Sequence, residues 1–230
     1  MKKASRSDKL DILYEDNHLI AVNKPNGILV QPDITRDTTL ADKVKVYIKE
    51  KYNKPGAVFL GVIHRLDRPV SGVVLFARTS KALKRMNKAF RDRKVEKKYL
   101  ALVKGPINLN GKLIDFLKKS EIENRSYVVK KKNVRGVKRC ELNYEVIRKI
   151  DDYHMLEILP ITGRSHQIRV QLSNHGFPII GDLKYGGYKP SNSRQICLHC
   201  KSLSFDHPTL KEKIVIKAKL PKWKEWQRFE

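Results

Sequence analysis

His64-Arg65-Leu66-Asp67-Arg68-Pro69-Val70-Ser71-Gly72 places one carboxylate, two guanidiniums and an imidazole between two apolar runs. Ala57-Val58-Phe59-Leu60-Gly61-Val62-Ile63 precedes it and Val73-Val74-Leu75-Phe76-Ala77 follows it. Both runs are apolar and rich in β-branched residues, so both read as buried strands. The polar stretch between them ends in Pro and Ser-Gly, which are turn residues, and reads as a loop held by the two strands. A lone Asp between two Arg residues is expected to stay ionised. Such a carboxylate suits a nucleophile or a base. The competing reading of the same residues is an Asp that caps a turn and pairs with its neighbours.

Outward from this loop, turn signals and hydrophobic periodicity divide the chain into many short strands and about three helices. Residues 12–14 and 19–22 read as strands around the Glu15-Asp16-Asn17 turn. Lys24-Pro25-Asn26-Gly27 breaks the second of them. Thr38-Thr39 caps a helix reaching about Tyr52, with Leu40, Val44, Tyr47 and Ile48 on one face. Thr79-Ser80 caps a second helix that buries Leu83, Met86 and Phe90. Residues 99–103 follow as a strand, and residues 106–125 carry little signal. Residues 126–129 and 140–147 read as strands joined by a basic hairpin tip, residues 130–139. Residues 166–174 form a short helix with Ile168 and Leu172 inward and Gly176 as its stop. Residues 196–205 and 214–216 are late strands, and Trp223 and Trp226 fold back on the domain. The irregular alternation predicts an α+β fold: a mixed, largely antiparallel β-sheet with a few flanking helices. Residues 1–9 read as a flexible basic tail and residues 10–230 as one domain.

Charge narrows the partner. The 230 residues carry 49 Lys+Arg against 24 Asp+Glu, a formal net charge of +25. Such an excess calls for a polyanion, with nucleic acid the leading candidate and an acidic membrane surface the alternative. Between Arg78 and Lys98 stand ten basic and two acidic residues. Ordinary solvated faces mix signs, so the exposed helix face with Lys81, Lys84, Arg85 and Lys88 reads as a phosphate-tracking surface. No apolar run reaches transmembrane length and no signal peptide is visible. Three Cys are too few for a disulfide framework, and a reducing cytoplasm is the expected setting.

Other chemistries lack their residues. Cys197-Leu198-His199-Cys200 has no second ligand pair, so no metal site is expected. Neither GxxxxGK[ST] nor GxGxxG occurs, and neither Ser71 nor Ser165 stands in GxSxG. A second polar concentration, Arg164, His166 and Arg169, lies at the short helix. Residues 166 and 169 are i and i+3 and share a face if that segment is helical, so Arg169 can present a fixed cation to a carboxylate or phosphate; the competing reading is surface or capping groups.

The 64–72 run closely resembles the signature of the RluA-type pseudouridine synthases, which convert uridines of structured RNA to pseudouridine. Residues 14–27 look like that family's N-terminal catalytic segment, and Lys97-Lys98-Tyr99 like its basic-Tyr motif. Thr162-Gly163-Arg164-Ser165-His166-Gln167-Ile168-Arg169 resembles its third motif, extended by Gly181-Asp182 and Tyr185-Gly186. Leu198-His199-Cys200 to His207-Pro208 resembles a late segment. These matches run in family order over about residues 11–208.

The resemblance implies a pseudouridine synthase catalytic fold with Asp67 as the catalytic aspartate. It makes Tyr99 the aromatic residue that stacks on the target base and Arg169 the cation that pairs with the aspartate. Arg65 would fill the gap left by a flipped nucleotide, and His64, Lys98 and Arg164, with Lys81 and Arg85, would contact substrate. A uridine inside a helix hides its glycosidic bond and must leave the stack, and a stacking Tyr returns about 1–3 kcal/mol of that cost. The implied substrate is ribosomal or transfer RNA, with no cofactor, no membrane and no obligate protein partner. Val70 stands where the family often has Thr, and Gln171 where His is common. The S4 RNA-binding domain of many relatives is not among these motifs, so RNA affinity is expected from the catalytic domain itself. The alternative on the same fold is an RNA-binding or ribosome-assembly module without catalysis. A carboxylate glycosidase is disfavoured, since it needs a second opposed carboxylate and has no use for so basic a surface.

Overall fold

A computed structural model describes residues 10–131, 133–189 and 195–229. The expected basic tail, residues 1–9, lies outside these residues. The chain divides into two compact units, residues 1–95 with 203–219 and residues 96–202 with 220–230.

In the first unit, β1 (Ile12–Glu15) and β2 (Leu19–Lys24) form an antiparallel pair. The Asp16 carboxylate shapes their turn by accepting the backbone N–H groups of His18 and Leu19 at 2.7 and 2.6 Å. Its other oxygen accepts from the Tyr14 hydroxyl at 2.7 Å and lies 2.8 Å from Nε2 of the buried His207. His207 Nδ1 accepts the backbone N–H of Leu210 at 2.9 Å.

β2 pairs antiparallel with β4 (Ser71–Ala77), in register from Leu19 opposite Ala77 to Lys24 opposite Gly72. Every residue of β4 is buried, as a strand covered on both faces requires. α1 (Leu40–Lys51) starts at Thr39, whose hydroxyl and backbone form a reciprocal capping box with Asp42. Leu40, Ala41, Val44 and Ile48 are its buried stripe. α2 (Ser80–Arg91) is capped by Thr79 and buries Ala82 and Met86. β11 (Lys213–Lys217) pairs with β10 (Leu198–Asp206).

In the second unit, β5 (Glu96–Lys104) pairs with β9 (Tyr153–Pro160), β9 with β8 (Lys138–Ile150), and β8 with β6 (Asn110–Ser120). β6 carries β7 (Arg125–Val128) on its other side, and each of these pairs is antiparallel. α3 (Gln167–Asn174) buries Ile168, Arg169, Val170, Gln171 and Leu172, and a 3-10 turn follows at Leu183–Tyr185. Trp226, in the short α4 (Lys224–Gln227), is fully buried, as expected of the closing aromatic pair. No helix of the described residues is long and apolar enough to cross a membrane.

Three expectations need correction. The apolar run before the Asp67 loop is a strand only at β3 (Gly61–Val62), and Phe59 within it is 49% exposed. The ladder stops because the next β4 donor, the Leu75 N–H, is taken at 3.0 Å by the His64 imidazole in place of a backbone carbonyl. Residues 130–139 are not a hairpin tip. β7 and β8 both pair antiparallel with β6, so they run parallel to each other and the segment crosses over between them. The unread stretch 106–125 holds the eleven-residue β6, whose inward row is Leu113, Asp115 and Leu117. Asp115 breaks the apolar alternation and is satisfied by the Gln171 amide at 2.7 Å and by His175 Nε2 at 3.2 Å. Gln171, the departure from the family's usual His, thus has a buried partner.

Gly181 shapes the loop after α3. It has φ +84°, and an added Cβ would lie 2.0 Å from the Gln195 carbonyl oxygen. Gly181→Ala is expected to cost on the order of 3 kcal/mol, read as a lower denaturant midpoint. An unchanged midpoint would contradict this turn.

Candidate active site

Asp67 stands in the first unit, at the head of a turn in which its carbonyl accepts the Val70 N–H at 3.0 Å. Leu66 and Val70 are buried and anchor the loop on either side of it. His64 stacks on Phe90 of α2, with ring centroids 5.1 Å apart. Since His64 Nε2 accepts the Leu75 N–H, it carries no proton. His64 therefore pins the loop to β4. Arg65 is exposed, and its guanidinium makes no hydrogen bond or ion pair among the described residues.

The other side of the loop is held by Lys24-Pro25-Asn26-Gly27. The Arg68 carbonyl accepts both the Gly27 N–H at 2.8 Å and the Lys24 Nζ at 3.0 Å. Arg68 Nε donates back to the Gly27 carbonyl at 2.9 Å, and the Asn26 amide donates to the Pro69 carbonyl. Gly27 has φ +87°, a conformation that favours glycine. Arg68 also reaches Asp37 at 2.8 Å. This pair is about half exposed and contributes little.

Lys24 was not among the expected site residues. It is fully buried, and its amine donates to the carbonyls of Pro25 and Arg68, each at 3.0 Å. Burial pulls its pKa down to about 7; the charge of Asp67 acts to raise it and that of Arg68 to lower it further. Two carbonyl acceptors match the two N–H groups of a neutral amine, whereas an ammonium brings a third. The signal was present in the sequence: a lysine ending an apolar strand, just before a Pro.

Tyr99, Lys98, Arg164 and Arg169 belong to the second unit. Tyr99 lies on β5 opposite Ile158 and is 9% exposed. Lys98 pairs with Glu157 at 2.8 Å. Arg164 Nε donates to the Arg139 carbonyl at 3.3 Å. Arg169 is buried and forms a bidentate pair with the buried Asp182, Nε to Oδ2 at 2.7 Å and Nη2 to Oδ1 at 2.8 Å. Its guanidinium lies 5.2 Å from the Tyr185 ring centre. The Tyr185 hydroxyl accepts the Ser126 N–H at 2.9 Å and meets His166 Nδ1 at 2.8 Å. His166 precedes α3 with φ 54°. His166 and Arg169 therefore converge on Tyr185, although His166 lies outside the helix expected to put the two on one face. The fork to Asp182 uses one edge of the guanidinium and fixes the direction of the other. Asp182 and Tyr185 were read as part of the extended third motif without a role.

On the helix face read as phosphate-tracking, Lys81, Lys84, Arg85 and Lys88 are exposed. Arg85 donates to the Pro208 carbonyl at 2.7 Å and Lys88 pairs with Asp92.

The Lys24 titration has a definite sign. Below about pH 7 both folded and unfolded chains hold the proton, and the burial penalty stands in full. Between about 7 and the ordinary 10.5, the folded amine has lost a proton that the unfolded chain keeps, so stability rises with pH. Wild type should therefore gain on Lys24→Met across that window, by at most about 1.4 kcal/mol per pH unit. Parallel denaturant series at several pH values measure it, and a difference independent of pH would contradict the assignment.

A family model described as RNA pseudouridylate synthase matches residues 18–174, which include Lys24, Asp67, Tyr99 and Arg169. The chain is 34% identical over 218 residues to ribosomal large subunit pseudouridine synthase C of Buchnera aphidicola subsp. Baizongia pistaciae. That alignment covers 91% of this chain and 66% of the relative, so the chain spans slightly less than two thirds of that protein's length. It is 34% identical over 246 residues to tRNA pseudouridine synthase C of Haemophilus influenzae, covering 96% of each. Among solved structures, human RNA pseudouridylate synthase domain containing 4 matches with a TM-score of 0.76 at 26% identity, covering 92% of this chain and 89% of that one. The fold and these matches agree: the chain belongs to the RNA pseudouridylate synthase family.

Proposed function

We propose that this chain isomerises uridines of structured RNA to pseudouridine, with Asp67 as the reacting carboxylate. The observation that supports this most directly is the tethering of the Asp67 loop, by His64 on one side and by Lys24, Asn26 and Gly27 on the other. A group that must meet one atom of an extruded nucleotide gains from a loop that is already ordered.

In this reading the target uridine leaves its stack and its base lies against Tyr99, which returns part of the unstacking cost. Exposed Arg65 occupies the vacated place in the RNA. The Asp67 carboxylate attacks the ribose or base, or takes the C2′ proton. The C1′–N1 bond breaks, the uracil turns, and C1′ rejoins at C5. The C5 proton leaves and N1 gains one, so the product is an isomer and no group donor is consumed. The resemblance assigns Arg169 as the cation for this carboxylate; within its own unit its orientation is set by Asp182 and Tyr185. Ribosomal and transfer RNA are both candidate substrates, since relatives bearing each name match at 34% identity.

Release of tritium from total cellular RNA labelled at uridine C5 tests the reaction, because forming the new bond expels that hydrogen. Wild type should release it, and Asp67→Asn should lower the rate by about 10³-fold or more while RNA binding is retained. Wild type that binds RNA and releases no tritium would favour the non-catalytic RNA-binding module. Equal rates in wild type and Asp67→Asn would remove Asp67 from the chemistry.

A further inference from the structure

The ring that supports Arg169 supports a second guanidinium. Arg125 opens β7, and its guanidinium carbon lies 4.9 Å from the Tyr185 ring centre and 5.3 Å from that of Tyr127. The two cations are balanced differently. Arg169 has the bidentate Asp182. Arg125 Nε is buried without a hydrogen-bond partner, and no carboxylate forms an ion pair with Arg125 among the described residues. Of the two acidic residues in the preceding turn, Glu121 pairs with Lys119 at 2.5 Å and Glu123 accepts from the Tyr127 hydroxyl at 2.7 Å. Lys184 Nζ donates to the Asn124 carbonyl at 3.0 Å, which puts another cation beside the same turn.

A partly buried guanidinium normally recovers its lost hydration from an anion. Arg125 has aromatic faces instead, which favour the cation and leave its planar N–H donors unspent. Tyr185 cannot turn away, because its hydroxyl is held between Ser126 and His166. The arrangement is an ordered guanidinium with no direct ion pair among the described residues, its nearest balancing charge the more distant Glu123, in a protein of formal charge +25.

We infer that Arg125 is a phosphate-binding residue, seated on Tyr127 and Tyr185 to grip the backbone of the RNA substrate. The inference rests on the RNA-modifying reading above. A phosphate fits better than an acidic peptide, since its oxygens accept the guanidinium fork and a basic surface recruits a polyanion from all sides.

The test uses the full chain and total RNA from cells lacking the protein, with affinity measured over a series of salt concentrations. Arg125→Gln should weaken binding about tenfold at low salt and make the slope of log K against log salt shallower by about 1. Arg125→Lys should keep the slope but recover only part of the affinity, since an ammonium has no fork. Arg125→Met, which keeps an apolar stem on the rings, gives the same readout should the Gln variant not fold. A slope unchanged in both neutral variants would overturn the assignment, whatever the loss in affinity, because packing alone releases no counterion. Tritium release separates the two readings. Wild type without release but with the slope difference loses the isomerase and keeps Arg125; release with an unchanged slope does the reverse.

Discussion

The buried amine of Lys24 is the constraint on which the first unit's functional geometry depends. It reaches the carbonyls of Pro25 and Arg68, and so joins the end of β2 to the loop that carries Asp67. Hiding a lysine from water is costly, and the fold meets that cost by lowering the amine's proton affinity and giving it two acceptors. An apolar side chain would leave the Arg68 carbonyl with one donor fewer at a point where the ladder between β2 and β4 has just ended. His64 does the equivalent work on the opposite side, where its ring nitrogen stands in for the carbonyl that a longer β3 would have supplied. The loop is therefore ordered by side chains placed where strand pairing runs out.

The second unit solves a related problem with charge. Arg169 and Asp182 are both buried, so each would be expensive alone, and breaking such a pair typically costs about 3–5 kcal/mol. A well-packed apolar pair is often as stable, so stability alone does not explain the choice. Orientation does. The carboxylate fork fixes the guanidinium plane, Tyr185 lies against it, and Ser126 and His166 fix Tyr185 in turn. Each member of this chain restricts the next, and the outcome is a cation with a defined direction.

Much of this was legible in the sequence because local chemistry and global fold agree. The caps at Thr39 and Thr79, the apolar stripe of α1 and the uniformly buried β4 follow from propensity and pattern alone. Asp67, Tyr99 and Arg169 were named from motifs that the family match encloses. What escaped was tertiary. β6 was hidden by Asp115, a charge at a core position whose partners, Gln171 and His175, lie more than fifty residues away. The β7–β8 crossover looked like a hairpin because a basic turn between two strands gives no sign that a third strand lies between them. The bond from the Leu75 N–H to His64, which anchors the loop, also has no local sign in the sequence. Arg125 left no trace, since nothing local shows that an arginine will lie on an aromatic ring sixty residues later.

The central claim is that the tethered Asp67 carboxylate modifies uridine in RNA, and its most direct test is chemical mapping of pseudouridine in the cell. Total RNA would be compared, at single-nucleotide resolution, from cells carrying the wild-type gene, lacking it, or carrying Asp67→Asn at wild-type protein levels. The account predicts one or more sites present with wild type and absent in both other strains. A site that persists with Asp67→Asn, or no site that depends on the gene, would contradict it.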